Sequence, residues 1–470
     1  MTRRIMLTLT AVLAIGACSD QQEPTTAPAD APTMALSKNT PKYVISFSPA
    51  QAGDISSAIT KAGGQVRRAS KGAGVATAYS ADADFATRLL ASPGVRSVTR
   101  DIVVRWIDPT ERGVRATSAT TPPKASAGRG IGDNEGFFAY QWAPKSIHAP
   151  EAWQLGARGT GVRVAVLDGG MNNNHLDLKG NVDVARSTSI VDGFTFNQEV
   201  DPDGFSHATH VGGIIAAQDN SKGTIGVAPG ATLIGVKVLH EGSGSFGDII
   251  DGIIYAATSI ADGGAGAHVI NMSLGATFPS SADVNVLALT AVMNDATTFA
   301  HDQGVVVIAS AGNGDRLGRG IDHDQGNDFT LPAQAAHVLG VSATAPEGFI
   351  LGATNFTKLA SYSNFGTSIV DLGGPGGDFD FPDPNVYVFD MVLSPGTIYP
   401  EKDGYFFAAG TSMSAPAVAG VAALIIEKMG LVRNPGAVET KLRSSADDLP
   451  PIGFDKFYGS GYVNAQKAVQ

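Results

Sequence analysis

The chain has 470 residues, of which 16% are charged and 43% hydrophobic, a balance that excludes a disordered polyampholyte. Its length exceeds what one compact core is expected to organise, so we expect two or three folded units. The formal net charge of -11 disfavours nucleic acid as a partner, because nucleic acid selects basic surfaces.

The first residues are typical of a bacterial export signal. Two arginines precede an apolar run over residues 5–15, which is too short to span a bilayer as a mature helix. The run ends in the letters IGAC, residues 15–18, which resemble a lipobox, a motif whose cysteine is lipidated and becomes the new N-terminus. Cys18 is the only cysteine, so no intramolecular disulfide can form. We predict a lipoprotein signal peptide over residues 1–18; the alternative is an ordinary signal peptide cut beside an incidental cysteine.

Residues 42–107 show the pattern of a small α+β unit, which a Pro-, Ala- and Thr-rich tether over residues 19–41 separates from the signal. The predicted elements are, in order, a strand over 42–49, a helix over 54–64, a strand over 74–80, a helix over 83–95 and a strand over 95–106. The pattern is that of a β-α-β-β-α-β, ferredoxin-like domain. A freestanding binding module of the same fold is the alternative.

Residues 108–139 are polar and rich in Gly, Ser and Thr, which predicts an exposed linker that proteases can cut. From residue 140 to residue 470, short β-branched apolar runs alternate with helical stretches, as in a parallel sheet covered on both faces. The predicted strands are VRVAVLD, TLIGVKVL, HVINMSL, VVVIASAG and VLGVSAT, and the predicted helices are HVGGIIAA, FGDIIDGIIYAATS and SMSAPAVAGVAALIIEKMG. We predict a three-layer α/β domain with right-handed crossovers.

Polar residues follow several of these strands or open the helices, where α/β folds place their sites. Asp168 ends the first strand, His207 begins a helix, Asn313 follows a strand and Ser412 opens the long C-terminal helix. A serine hydroxyl becomes nucleophilic when an imidazole removes its proton and a buried carboxylate orients that imidazole. An amide donor can then stabilise the oxyanion.

The local sequences around these residues are specific. The segments VAVLDGG, HATHVGG, ASAGNG and GTSMSAP resemble the four signature segments of the subtilisin-like serine peptidases, in that family's order of Asp, His and Ser. The resemblance covers residues 140–470 and implies a parallel-sheet, three-layer subtilisin-like domain. An α/β-hydrolase would need its serine first and a second glycine where Ser414 stands.

The resemblance implies a role for each residue. Asp168 orients the imidazole, His207 is the general base and then the acid, and Ser412 attacks the scissile carbonyl. Asn313 donates to the oxyanion together with the Ser412 backbone N–H. Thr411 and Ser414 are interpreted as hydroxyls that cap the helix.

Two edge segments resemble those that pair with substrate backbone in the family, a form of strand addition that suits a polypeptide. Their residues are Gly242, Ser243 and Gly244, and Ser273, Leu274 and Gly275. We therefore expect a serine endopeptidase that acts on polypeptides, needs no cofactor for its chemistry and is a monomer.

The small unit resembles the family's inhibitory propeptide, which implies a self-processing pro-enzyme cut within residues 108–139. Because Cys18 lies upstream of the propeptide, we hypothesise that processing separates the peptidase domain from its lipid anchor. The expected location is the cell envelope, with release of the peptidase domain to the periplasm or the extracellular space.

Calcium is the metal that the resemblance suggests. Asp177 matches a calcium-ligand position, with Gln141 and Asn220 as companions, and oxygen ligands from separate loops suit Ca²⁺. A solvated surface carboxylate at Asp177 is the alternative.

The sequence departs from the family pattern at three places. Gly169 stands where Ser or Thr usually follows the aspartate, and Ala208 stands where glycine usually follows the histidine. These two changes favour an alternative function, a catalytically weak subtilisin-like module that binds peptides or assists assembly. The segment over residues 378–404 is longer than usual, and three roles fit it: a lid, a partner surface or an extra acidic site.

Overall fold

The computed structural model describes residues 40–108, 111, 113–116, 134–198, 206–315, 317–398 and 402–470. The predicted signal peptide with Cys18, nearly all of the tether and most of the predicted linker lie outside these residues. Within the part that is described, no helix combines the length and the apolar character needed to cross a membrane.

A small α+β domain occupies residues 42–100. Its elements are β1 (Lys42–Phe47), α1 (Ile55–Lys61), β2 (Gln65–Ser70), β3 (Val75–Tyr79), α2 (Phe85–Leu90) and β4 (Val95–Arg100). The strands form an antiparallel sheet in the order β2-β3-β1-β4, and both helices pack on its apolar face around Phe47, Ile59 and Phe85. This is the predicted β-α-β-β-α-β order. The second strand, β2, was absent from the predicted elements because QVRRAS carries one large apolar residue.

Two short strands follow, β5 (Val103–Arg105) and β6 (Val114–Arg115), and then a large α/β domain over residues 134–470. Its strands are β7 (Arg163–Asp168), β8 (Thr188–Ser189), β9 (Thr232–Lys237), β10 (Ser243–Ser245), β11 (Val269–Met272), β12 (Ala276–Phe278), β13 (Val306–Ser310), β14 (Phe329–Leu331), β15 (Val338–Ala345), β16 (Lys358–Leu359), β17 (Leu372–Pro375), β18 (Val392–Ile398) and β19 (Lys402–Ala408). Its helices are α3 (Trp142–Ser146), α4 (Ala149–Gln154), α5 (His207–Ala216), α6 (Phe246–Ala257), α7 (Val284–Asp302), α8 (Pro384–Tyr387), α9 (Thr411–Lys428), α10 (Pro435–Ser445) and α11 (Ala465–Val469), with short 3-10 turns at Phe138–Tyr140 and Phe349–Leu351.

The central sheet of the large domain has the order β16-β15-β13-β11-β7-β9-β8, and β17 pairs with β15. Its strands are parallel except for β16. Alternate residues of β7 enter different cores: Val164 and Val166 pack with α5 and α9, whereas Ala165 and Leu167 pack with α6 and α7. Two helical layers therefore enclose one sheet, and the predicted three-layer α/β fold is confirmed.

The five predicted strands correspond to β7, β9, β11, β13 and β15, and the three predicted helices to α5, α6 and α9. Helix α9 is buried from residue 411 to residue 426. A β-carbon at Gly420 would lie 2.6 Å from the β-carbon of Val227, so only glycine allows this close packing. The fit of α9 into the domain holds the residues at its N-terminus in place.

The strand predicted over residues 95–106 is wrong as a single element. It divides into β4, which completes the small sheet, and β5, which pairs antiparallel with β10 of the large domain. Likewise, β6 lies in the stretch predicted as an exposed linker but pairs antiparallel with β19. The chain between the two domains is thus bound to the large domain at two places.

Candidate active site

The carboxyl edge of the central sheet and two helix starts carry the four residues predicted to act in catalysis. Asp168 is the last residue of β7, His207 is the first residue of α5, and Ser412 is the second residue of α9. Asn313 lies three residues beyond the end of β13. The topology therefore brings residues that are distant in sequence to one edge of the sheet.

Asp168 and His207 form a buried pair. The Nδ1 atom of His207 lies 2.8 Å from Asp168 Oδ2, and the Asp168 side chain is 1% exposed. The other carboxylate oxygen accepts a 2.6 Å hydrogen bond from the backbone N–H of Gly169. Asp168 thus has a main-chain donor at Gly169 but no side-chain hydroxyl there.

Ser412 is 3% exposed and lies at the N-terminus of α9. Its hydroxyl donates to the carbonyl of Ser273 at 3.3 Å, and the Ser273 hydroxyl donates to the carbonyl of Ser412 at 2.7 Å. Ser273 belongs to one of the two predicted substrate-binding segments. The serine and that segment are therefore held against each other.

Asn313 is oriented by a residue interpreted from the sequence as a helix cap. Thr411 donates to Asn313 Oδ1 through its backbone N–H at 2.8 Å and through its hydroxyl at 2.7 Å. The same hydroxyl accepts from the backbone N–H of Gly312 at 3.0 Å. Since α9 has no side-chain cap, the capping interpretation of Thr411 is wrong; the residue aims the Asn313 amide N–H into the site. In the sequence, only the position of Thr411 next to Ser412 indicated that it belongs to the site.

Glu111, which lies in the predicted linker, occupies the space between these groups. Its Oε2 lies 3.1 Å from His207 Nε2, and its Oε1 accepts a hydrogen bond from the side-chain amide of Asn313. A β-carbon at Gly410 would collide with this carboxylate, so glycine at that position makes room for it. Sequence reasoning missed Glu111, because nothing in a polar linker marks one carboxylate as a ligand of the site.

The two carboxylates beside His207 change its pKa. Burial favours the neutral imidazole, but the carboxylates of Asp168 and Glu111 outweigh it and raise the pKa of His207 to about 10. At neutral pH the imidazole is therefore protonated while Glu111 is bound. A protonated imidazole cannot accept a proton from a serine.

The first predicted edge segment, Gly242 to Gly244, holds a piece of the chain itself. Residues Val103–Arg105 pair antiparallel with Ser243–Ser245, and the N–H of Trp106 donates to the Gly242 carbonyl at 2.8 Å. The side chain of Trp106 is 1% exposed and its indole N–H donates to the Gly244 carbonyl at 2.9 Å. The edge thus binds an extended peptide by main-chain hydrogen bonds.

The second predicted edge segment, Ser273 to Gly275, contacts the same piece of chain. The N–H of Gly275 donates to the Trp106 carbonyl at 2.8 Å, while Leu274 is buried beneath. The Trp106 ring packs edge-on against Phe246 and Phe278, with centroids 5.0 and 6.3 Å away. All six predicted substrate-binding residues therefore lie at or next to the path of residues 103–107, which we name the cleft segment.

A second contact joins the small domain to α6 through charged residues. Lys42 Nζ lies 2.9 Å from Asp248 and 3.2 Å from Asp101. Arg67 lies 2.9 Å from Asp248 and 2.7 Å from Asp251, and its side chain is 7% exposed. We name these five residues the charged contact.

The three residues predicted to bind calcium lie in or against the loop over residues 220–225: Asn220 belongs to it, and Asp177 and Gln141 contact it. Asp177 Oδ2 accepts from the N–H and the hydroxyl of Thr224 at 2.8 and 3.0 Å, and Asp177 is fully buried, so the alternative of a solvated surface carboxylate is wrong. Asn220 donates to a backbone carbonyl at 3.3 Å. Gln141 uses both amide atoms on the backbone of Ile225, each at 3.0 Å.

The fit to a calcium ion is partial. Asp177 Oδ1 and Asn220 Oδ1 are buried oxygens that accept no hydrogen bond from the described part of the chain, which suits a cation. Gln141 has no free oxygen, and the described residues contain no cluster of three or more His, Cys, Asp or Glu side chains around a common point. Calcium at this loop stays a prediction, and it would stabilise the loop rather than enter the chemistry.

Comparison with known proteins gives consistent matches. Residues 159–461 match the model of the Subtilase family. The chain is 32% identical over 339 residues to thermitase of Thermoactinomyces vulgaris, covering 71% of this chain and 97% of that protein. It is 34% identical over 331 residues to subtilisin Savinase of Lederbergia lenta, covering 70% and 98% respectively.

Among solved structures, the epidermin leader peptide processing serine protease of Staphylococcus aureus has the same fold. The TM-score is 0.69 at 22% identity, with 92% of this chain and 98% of that chain covered. This match spans the small domain as well as the large one, because the large domain alone would cover a smaller share of the chain.

Proposed function

Since this chain belongs to the subtilase family and is a subtilisin-like serine endopeptidase, we propose that Ser412 is its nucleophile, His207 its general base and acid, and Asp168 the carboxylate that orients the imidazole. The observation that carries the proposal is the 2.8 Å bond between His207 Nδ1 and Asp168. That bond fixes the imidazole so that Nε2 is the atom left to exchange protons with the serine and the leaving group.

The oxyanion is stabilised by the Asn313 side chain and by the N–H of Ser412. Thr411 donates two hydrogen bonds to the oxygen of the Asn313 side-chain amide. The N–H of that amide therefore points to where negative charge develops. The N-terminus of α9 adds a free backbone N–H and the positive end of the helix dipole.

The substrate is a polypeptide in extended conformation. The cleft segment adds as a strand to the Ser243–Ser245 edge, and a substrate is held by the same main-chain hydrogen bonds. Bonds to the main chain do not depend on side chains, which supports cleavage of many different sequences.

The small domain is an inhibitory propeptide, and the enzyme is made as a self-processing pro-enzyme. Two observations support this: the cleft segment fills the substrate edge, and Glu111 occupies the positions beside His207 and Asn313. Cleavage within residues 108–139, followed by departure of the small domain, frees the site.

Export as a lipoprotein places Cys18 on the propeptide side of that cleavage. Processing then releases the peptidase from its covalent anchor into the periplasm or the extracellular space. Cell fractionation tests this: processed enzyme found only in membranes, with no membrane affinity of its own, would contradict release.

The alternative of a catalytically weak module rests on Gly169 and Ala208, and Asp168 keeps the backbone N–H of Gly169 as a donor although no side-chain hydroxyl stands there. Labelling with a fluorophosphonate and the variant Ser412→Ala distinguish the two functions. We expect one adduct on the processed wild-type enzyme, and loss of peptidase activity by about 10⁴-fold or more in the variant.

The matched control is Ser414→Ala, which removes a buried hydroxyl two residues away that donates to the Thr411 carbonyl at 2.9 Å. We expect this variant to label and to cleave. Correctly folded wild-type protein that takes up no fluorophosphonate would contradict the enzyme function.

A further inference from the structure

The chain beyond Glu111 is bound to the large domain as an added strand. Val114 lies opposite Phe407 and Arg115 opposite Phe406 in an antiparallel pair, and the N–H of Ala116 donates to the Tyr405 carbonyl at 3.0 Å. Strands β18, β19 and β6 thus form a three-stranded sheet. Its middle strand, β19, leads within a few residues into Ser412 at the start of α9.

The two bound stretches lie on opposite sides of the catalytic residues. The cleft segment precedes Glu111 and follows the Gly242 edge, whereas residues 113–116 follow Glu111 and leave along β19. Glu111 itself contacts His207 and Asn313. A polypeptide that crosses the site in the same direction therefore places its leaving-group side along β19.

An apolar groove of about 450 Å³ runs beside this added strand. Its walls are mostly aromatic and come from three places: the start of the large domain, the long segment before Ser412 and β19. The wall residues include Phe137, Tyr140, Tyr387, Val388, Phe389 and Phe407, and Asn385 adds a polar side chain. Tyr140 stacks on Phe389 with ring centroids 5.7 Å apart, and Phe389 meets Phe407 at 5.4 Å. No charged side chain of the described residues lines the groove.

The chain itself fills this groove only in part. Val114 of β6 and Ala116, the residue after the end of that strand, both line it. Val114 remains 41% exposed, and Ala116 presents a single methyl group to the aromatic cluster. The open volume of about 450 Å³ exceeds what these two side chains occupy and leaves space for larger apolar residues beside both positions, although Ala116 itself is 8% exposed.

We propose that this groove is a substrate-binding site on the leaving-group side of the cut, selective for extended polypeptides that carry bulky apolar residues at two alternate positions. The proposal rests on the proposed function and specifies its substrate class. The main chain of the substrate adds to β19, which holds it in register, and the groove buries its apolar side chains. Of the three roles that fit the segment over residues 378–404, the partner surface is the one this proposal selects, with the substrate as partner.

Peptides that copy residues 103–118 test the proposal as competitors of a short anilide substrate, which has no amino-acid residue beyond the cut. The enzyme is the full chain as expressed, incubated until its activity is constant. One peptide carries Leu and Phe in place of Val114 and Ala116, and another carries Asp at both places. We expect the apolar peptide to compete about 10- to 100-fold more tightly than the Asp peptide, the range for burial of one or two apolar side chains.

The variants Tyr387→Ala and Tyr140→Ala remove part of the groove wall and are expected to shrink that ratio at least threefold. The matched control is Phe454→Ala, an aromatic residue that is 57% exposed and outside the groove, which leaves the ratio intact. Equal competition by both peptides against the wild-type enzyme would overturn the proposal while anilide hydrolysis upholds the proposed function.

Two further outcomes would also overturn the assignment. A shift from dimer to monomer on Tyr387→Ala, with equal competition by both peptides, would assign the groove to a second copy of the chain. Wild-type protein that neither hydrolyses the anilide nor takes up a fluorophosphonate would overturn the proposed function together with the groove.

Discussion

The N-terminal region touches the large domain in two chemically different ways. At the charged contact, Lys42 and Arg67 face Asp248 and Asp251 on α6, and the side chains of Arg67 and Asp251 are 7% and 3% exposed. At the cleft segment, Trp106 is buried against Phe246 and Phe278, and the main chain pairs with β10.

The difference indicates a division of roles. Removing charges from water costs free energy that an ion pair only about balances, so buried pairs define geometry more than they add affinity. Buried aromatic side chains and satisfied main-chain bonds give a net gain. We therefore expect the charged contact to orient the small domain on α6 and the cleft segment to provide most of the affinity.

The largest expected effect is that of Trp106→Ala in residues 41–116 added as a separate inhibitor to the processed enzyme. The variant loses a buried indole and its hydrogen bond to Gly244, so the inhibition constant should rise about 100-fold, or about 3 kcal/mol. Val103→Ala is the control, since Val103 is 73% exposed and its loss should change the constant less than threefold. An equal rise of the inhibition constant in the two variants would contradict the expectation that the cleft segment provides most of the affinity.

Arg67→Met should come next, with a rise of the inhibition constant of about 30-fold, because it removes the guanidinium 2.7 Å from buried Asp251 and leaves only that of Arg68, 3.8 Å away. The double variant Arg67→Met/Asp251→Leu should recover most of this loss, since a pair that only orients can be replaced by apolar residues. Arg96→Met removes an exposed pair with Asp295 and should have little effect. A double variant as weak as the single one would show that the ion pair supplies affinity.

The smallest expected effect is that of Glu111→Gln on the pH dependence of self-processing. The pKa of His207 is raised to about 10 while Glu111 is bound, so the bound state holds an extra proton relative to an ordinary imidazole. Its stabilisation is complete below about pH 6.5 and is lost as the pH rises through about 10. Self-processing of the wild type should therefore accelerate across this window.

Glu111→Gln removes one of the two carboxylates, so the pKa of His207 falls and the pH profile of self-processing should move down by about one unit. The rate is followed by the appearance of the processed band after transfer to each pH. Glu151→Gln, which removes a surface carboxylate whose side chain is 43% exposed, should keep the wild-type profile. If the pH profile of Glu111→Gln equals that of the wild type, the Glu111 carboxylate is not what raises the pKa of His207.

Local patterns were sufficient to predict the central architecture. Unbroken β-branched runs marked β7, β9, β11, β13 and β15, because parallel strands buried on both faces leave no polar alternation. Asp168 and His207 could be paired in advance, since four segments resemble the signature segments of one family and occur in its order. The 2.8 Å distance between them adds the geometry.

The features that sequence reasoning missed depend on contacts between distant residues. Glu111 contacts His207, which is 96 residues away in the sequence, and Asn313, which is 202 residues away. Local composition does not predict such contacts. The division between β4 and β5 was hidden because both strands carry β-branched residues and only the partner strand changes. Thr411 was interpreted as a cap because a hydroxyl at a helix start looks the same whether it faces the helix or Asn313.

The carboxylate of Glu111 has a further consequence for turnover. Every cut by a peptidase creates a new carboxylate at the end of the departing product, next to the same histidine and the same amide donor. A protonated His207 attracts that carboxylate and delays its departure, whereas the neutral imidazole does not. With His207 as the proposed general base, the loss of one proton would both release the finished product and restore the base for the next attack, which would couple the end of one cycle to the start of another.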